Sequence, residues 1–227
     1  MLFRSSELSI MNKRAKMGCD AVRNGVFGRL SLPKDRRVTY LTKEEIEAFF
    51  QAIPKESIRD RLLFDLIYRH GLRKTEAALL RMEGMKGGRI WIGRVKGGVS
   101  GEYPLHPDTQ KLLDSYLYEE KNPENPYLIN TRQSGNDNPM APSTIFASFR
   151  RYAIKAGIPR EKEYVHILRH SIAVHLMNAG WDLADVQDWL GHKSISSTTI
   201  YAKITNKRRE VNHERTLNSA EIARTFW

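Results

Sequence analysis

Apolar residues between Leu41 and Leu190 recur mostly at helical spacing and alternate over one short stretch only. At the start of this region Thr42 can cap a helix running to about Ala52, with Glu45 at the capping-box position. Ser57 opens a second helix, whose apolar face of Ile58, Leu62, Leu63, Leu66 and Ile67 extends to His70. Gly71 interrupts it, and Lys74 to Met82 resumes helical spacing through Ala77, Ala78 and Leu79. Glycines then frame two short strands, Arg89–Val95 and about Glu102–Leu105, with Gly97-Gly98 as the turn between them. Pro107 to Glu120 returns to helix, and Tyr127–Asn130 reads as a third short strand. Beyond the polar loop from Gly135 to Pro139, the pattern predicts helices over 143–156, 167–179, 182–190, 196–203 and 206–217. The fold class is mainly α (α+β), with one small antiparallel sheet and no internal repeat.

Composition narrows the class. The chain has 227 residues, 41% hydrophobic and 28% charged, which is globular. No run approaches the ~18 apolar residues of a membrane-spanning helix. The first residues lack the apolar segment of a secretory signal. A single cysteine, Cys19, makes neither an internal disulfide nor a cysteine-based zinc site, so a reduced intracellular compartment is expected. A formal charge of +11 favours a polyanionic partner. Its distribution is uneven, because residues 1–38 hold nine Lys/Arg (Lys13, Arg14, Lys16, Lys34, Arg36 and Arg37 among them) against three acids. The expected organisation is therefore a basic N-terminal arm or linker over 1–38 and a body over 39–227.

Four segments carry polar residues that packing does not account for. In Gly71-Leu72-Arg73-Lys74-Thr75-Glu76, an arginine at a helix junction can bind an anion beside free backbone N–H groups, or can simply pair with Glu76 on the surface. In Lys96-Gly97-Gly98, the turn lysine can reach a phosphate or remain solvated. In His166-Ile167-Leu168-Arg169-His170, two histidines four apart share a helix face, as in zinc proteases. The general-base Glu of those enzymes is replaced by Ile167, and the fixed charge of Arg169 suits an anion better than a cation. The fourth segment runs from Leu190-Gly191-His192 to Tyr201. Gly191 serves as a helix C-cap there, and Tyr201 is either a nucleophile or an ordinary core or interface tyrosine.

In order and spacing these four segments resemble the catalytic domain of the tyrosine recombinases, the phage-integrase family. The resemblance covers Leu41 to about Thr205. Its Gly-Leu-Arg box falls at Arg73 with Glu76 behind it, its hairpin lysine at Lys96, its His-x-Leu-Arg-His box at 166–170, and its Leu-Gly-His…Tyr pair at His192 and Tyr201. His70 departs from the Thr or small residue usual before Gly-Leu-Arg. The family usually carries a further helical DNA-binding domain ahead of this region, so the short stretch before Leu41 resembles single-domain members or a fragment of a longer chain.

The resemblance implies a helical recombinase fold and a site-specific DNA recombinase of the integrase, invertase or resolvase type. Tyr201 would attack a DNA phosphodiester to give a 3′-phosphotyrosyl link. Arg73, Arg169 and His192 would stabilise charge on the phosphate, Lys96 would protonate the leaving 5′-oxygen, and His166 would accept the tyrosine proton. Glu76 would orient a cation, and His170 would be structural. The same resemblance implies double-stranded DNA as partner, four protomers on paired sites, and no metal, cofactor or ATP. It places the chain at the nucleoid in a prokaryotic, phage or plasmid setting. The alternatives are a non-catalytic DNA-binding protein of the same fold, a topoisomerase IB-like nicking and resealing enzyme, and a histidine metalloenzyme.

Overall fold

The structure is a computed structural model that describes residues 38–95, 97–119, 124–129 and 138–202. The basic arm up to Arg37, the hairpin residue Lys96 and the expected helix over 206–217 lie outside the described residues.

The elements follow the apolar pattern closely. Helix α1 spans Lys43–Ala52 and begins with a reciprocal cap, in which the Glu45 amide donates to Thr42 Oγ1 at 3.2 Å and the Thr42 amide to Glu45 Oε2 at 2.7 Å. Helix α2 is Ile58–Arg69, and the short α3 is Lys74–Ala78. Strands β1 (Met85–Lys86), β2 (Arg89–Ile92) and β3 (Gly101–Pro104) form one antiparallel sheet in that order. The remaining helices are α4 (Pro107–Glu119), α5 (Pro142–Lys155), α6 (His166–Asn178), α7 (Leu183–Leu190) and α8 (Thr199–Ala202).

Three expectations are corrected. The third strand is Met85–Lys86, not Tyr127–Asn130, because Gly87 and Gly88 both take positive φ (56° and 70°) and fold a two-residue hairpin back onto β2. Tyr127 makes only an isolated bridge to Arg81. The helix after Gly71 ends at Ala78 rather than Met82. The helix expected over 196–203 divides into a 3₁₀ turn at Ile195–Ser197 and the single turn of α8.

Helix α6 is the axis of the fold. It buries Ile167, Leu168, Ile172, Ala173, Val174 and Met177, packing against α2 on one side and α7 on the other. Phe49 of α1, Phe64 of α2 and Phe149 of α5 meet at ring-centroid distances of 5.0–6.0 Å and lock those three helices together. Ser171 on α6 donates to Ile167 O and accepts the Leu41 amide, each at 2.8 Å, so the chain entering the body is tied to that same helix. Among the described residues no helix is long and apolar enough to cross a membrane.

Candidate active site

Three of the four polar segments converge where the α2–α3 junction, the N-terminal half of α6 and the α7–α8 connection meet. Gly71 turns the chain at φ 57°, and a Cβ there would come within 2.4 Å of Leu190 Cδ2. This close approach leaves the Gly71 carbonyl facing α6, where it accepts from Arg169 Nη1. Arg169 Nη2 donates to Leu190 O at 2.9 Å, and the residue is wholly closed to solvent. Burial, followed by the nearby Arg73 and Arg94 charges, lowers the Arg169 pKa to about 10, so it stays cationic at neutral pH.

Arg73 caps α3. Its backbone N–H donates to Glu76 Oε2 at 2.9 Å and its Nη1 to Glu76 Oε1 at 2.5 Å, with a quarter of the side chain still exposed. Glu76 itself is buried, and burial pushes its carboxyl up. The Arg73 backbone N–H and the Arg94 and Arg73 guanidiniums outweigh that and hold it below the usual carboxylate range. Sequence reasoning missed the third cation. Arg94 lies fully buried under the Tyr103 ring, with its guanidinium on Glu76 Oε2 at 3.0 Å and on the carbonyls of His70, Gly71 and Trp189.

At the other side of the site, Tyr201 is buried at 1% exposure and its hydroxyl lies 2.9 Å from His170 Nδ1. The partner of Tyr201 is therefore His170, expected to be structural, rather than His166. His166 sits one turn earlier at the start of α6, exposed, its ring edge-on to His170 at 4.6 Å between centroids. Burial pushes the Tyr201 hydroxyl up to about 12, against the pull of Arg169 and Arg73, so it is protonated and donates to the imidazole. His192 follows the left-handed Gly191 cap (φ 63°), with Nδ1 2.8 Å from Thr198 Oγ1. When Thr198 donates to that nitrogen, Nε2 carries the ring proton and is free to donate outward. Lys96 lies outside the described residues, but both flanks of its turn are fastened. The Val95 amide donates to Glu76 Oε1 at 3.3 Å, and the Val99 amide to Gly191 O at 3.1 Å.

The assembled site holds three guanidiniums against one carboxylate, with neutral imidazoles around them. That is an anion site by charge and by donor type. Among the described residues no group of three or more His, Cys, Asp or Glu side chains is placed to hold a metal ion.

Residues 39–208 match the phage integrase family. The chain belongs to that family, the tyrosine recombinases. Over 188 residues it is 36% identical to the tyrosine recombinase XerA of Pyrococcus furiosus, covering 82% of this chain and 62% of that protein. It is 33% identical to XerD of Vibrio cholerae, covering 80% and 61% respectively. Among solved structures it is similar to the XerH recombinase in a post-cleavage complex with its difH substrate. That match has a TM-score of 0.66 and 29% identity over 79% of this chain and 53% of that one. A XerA crystal structure matches with a TM-score of 0.65 and 26% identity, covering 78% of this chain and 65% of that one. The chain thus spans about three fifths of the length of the curated relatives it matches.

His70, which is buried, and His170 and His192, which are half-buried, give the fold a pH signature here. Burial and then the neighbouring arginine charges lower His70 to about 3, and His170 and His192 each to about 4. In the unfolded chain each returns to about 6.5. Between those values the unfolded state binds more protons, so stability is fully present above about pH 6.5 and is lost as pH falls toward 4. Thermal melts at fixed ionic strength should give a melting temperature that drops steadily from pH 7 through pH 5. A flat profile across that window would contradict histidines held neutral in the folded state.

Proposed function

We propose that this chain is the catalytic domain of a site-specific DNA recombinase that cuts and rejoins double-stranded DNA through Tyr201. The observation that carries the reading is the Tyr201 hydroxyl, held on a neutral imidazole at 2.9 Å beside a cluster of guanidiniums in excess over carboxylate. The hydroxyl oxygen attacks the scissile phosphorus, and its proton passes to His170. The bond from phosphorus to the 5′-oxygen breaks, Lys96 protonates that oxygen, and the 3′-phosphate remains on the tyrosine. Attack by another 5′-hydroxyl reverses the sequence. Bond types are conserved, so no ATP is needed.

Arg73, already part-exposed, meets the phosphate first, and His192 Nε2 donates to the same oxygens. Tyr201 and Arg169 are both closed to solvent, so the phosphate reaches them only after a local rearrangement of the site. Charge that metal ions neutralise in other phosphoryl-transfer enzymes falls here on Arg73 and Arg169, which makes the reaction metal-independent. The basic arm over 1–38 tracks the phosphate backbone, and four such protomers on paired sites complete an exchange.

The test is a nicked suicide duplex carrying the target site, incubated with the protein in EDTA and without nucleotide. A covalent protein–DNA adduct should appear on a denaturing gel at the same rate as with added magnesium. An adduct that forms only when zinc or magnesium is restored would overturn the metal-free mechanism.

A further inference from the structure

Arg94 is the one member of the guanidinium cluster that the reaction scheme leaves without a task. Its side chain is 0% exposed; both terminal nitrogens are taken up by protein oxygens, while Nε is buried with no hydrogen-bond partner among the described residues. Nη1 is 3.0 Å from Glu76 Oε2 and 3.4 Å from Gly71 O, and Nη2 is 3.1 Å from His70 O and 2.8 Å from Trp189 O. A phosphate on the accessible side of Arg73 therefore cannot reach it. Nor is stability a sufficient reason for its presence, since a buried ion pair regains little more than its desolvation cost.

Its partners, however, are those of the other two arginines. Glu76 Oε2 also faces Arg169 Nη1 at 3.8 Å, beyond hydrogen-bond reach, and Gly71 O is shared by Arg94 and Arg169. Glu76 Oε1 is held by Arg73. Three guanidiniums thus compete for one carboxylate, and Arg94 has the closest ionic contact to Oε2. Without it, the buried carboxylate would draw Arg169 across that gap and neutralise it.

We propose that Arg94 is a positioning residue, which occupies Oε2 of the Glu76 carboxylate so that Arg169 stands off from it and keeps its charge for the phosphate. The inference rests on the reading above of Arg73 and Arg169 as phosphate-binding groups. One carboxylate oxygen, Oε1, still aims Arg73, and the other, Oε2, is held by a cation that takes no part in the reaction. The same guanidinium clasps the hairpin bearing Lys96 to the α7 C-terminus. A Cβ on Gly98 would lie 2.8 Å from Arg94 Cβ, and one on Gly191 would lie 2.8 Å from Arg94 Nε, so both glycines leave room for this side chain.

The experiment compares Arg94→Gln, Arg94→Lys, Glu76→Gln and the Arg94→Gln/Glu76→Gln double variant, all in the full chain. Single-turnover adduct formation is measured on saturated suicide duplex, with duplex affinity and circular dichroism measured alongside. Arg94→Gln should lose on the order of 10²-fold in cleavage, the scale of one misplaced transition-state donor, with duplex affinity nearly unchanged. Removing the carboxylate charge in the same molecule should restore about tenfold or more, since nothing then draws Arg169 away. Arg94→Lys, which keeps the charge on Glu76, should lie between wild type and Arg94→Gln. A duplex with a neutral methylphosphonate at the scissile position, which asks less of the cations, should narrow the Arg94→Gln deficit.

Three results overturn the proposal: a double variant slower than Arg94→Gln, a deficit equal on phosphate and methylphosphonate, or Arg94 variants that do not fold. An arginine needed only for packing would give one of these. Failure of the wild-type chain to form any adduct would instead bring down the recombinase reading, and this inference with it.

Discussion

Tyr201→Phe should abolish the covalent adduct and leave the protein folded and DNA-bound. The phenyl ring keeps the packing of a side chain that is 1% exposed and seated among Ile172, Val174, Val186 and Leu190. What is lost is one hydroxyl and its hydrogen bond to His170 Nδ1. The stability cost is about 1 kcal/mol, the usual net value of such a bond. Cleavage, by contrast, has no second tyrosine hydrogen-bonded to His170 among the described residues. Tyr152 is spent on Asp60, to which its hydroxyl donates at 2.7 Å. Tyr164 lies edge-on to His170, with ring centroids 6.4 Å apart, and is the neighbour to examine if the variant still reacts. The readout is the suicide-duplex gel together with a gel-shift titration. An adduct formed by the Phe variant at even a tenth of the wild-type rate would show that Tyr201 is not the attacking residue.

The elements of this fold were legible because each is written in local physics. A capping box opens α1, a glycine with positive φ closes α7, and apolar periodicity fills the helices between them. Two adjacent glycines decide the third strand, because they specify a tight hairpin more strongly than Tyr127–Asn130 specifies a strand. The site was legible in its types and order of residues but not in its pairings. His166 and His170 are equally good bases in a sequence, and only the packing of α8 against α6 brings Tyr201 to the second of them. The sequence nevertheless carries a signal for Arg94. Along β2 and its continuation, Ile90, Ile92 and Arg94 occupy alternate positions and all three are buried, which puts a charged residue on the inward face of a strand. A charge at an inward position calls for a buried partner, and Glu76 supplies it.

Arg169→Ala should be the most damaging change that leaves Tyr201 in place, because it acts on fold and chemistry together. The guanidinium bridges Gly71 O and Leu190 O, joining the α2–α3 junction to the end of α7 from the middle of α6. Its loss removes the Arg169 bond to Leu190 O, leaves Gly71 O only the long 3.4 Å bond from Arg94, and opens a cavity in a wholly buried position, a destabilisation of about 3–5 kcal/mol. Cleavage should fall by about 10²–10³-fold in whatever fraction stays folded, the loss seen when one preorganised transition-state donor is removed. Arg169→Lys separates the two effects. A single ammonium retains the charge but cannot span two carbonyls and still present a planar face to phosphate. The Lys variant should therefore melt closer to wild type than the Ala variant while cleaving nearly as poorly. Thermal melts and single-turnover cleavage on the same preparations measure both quantities. A Lys variant that cleaves within about threefold of wild type would mean that Arg169 supplies charge alone, and that its two carbonyl bonds have no part in aiming it.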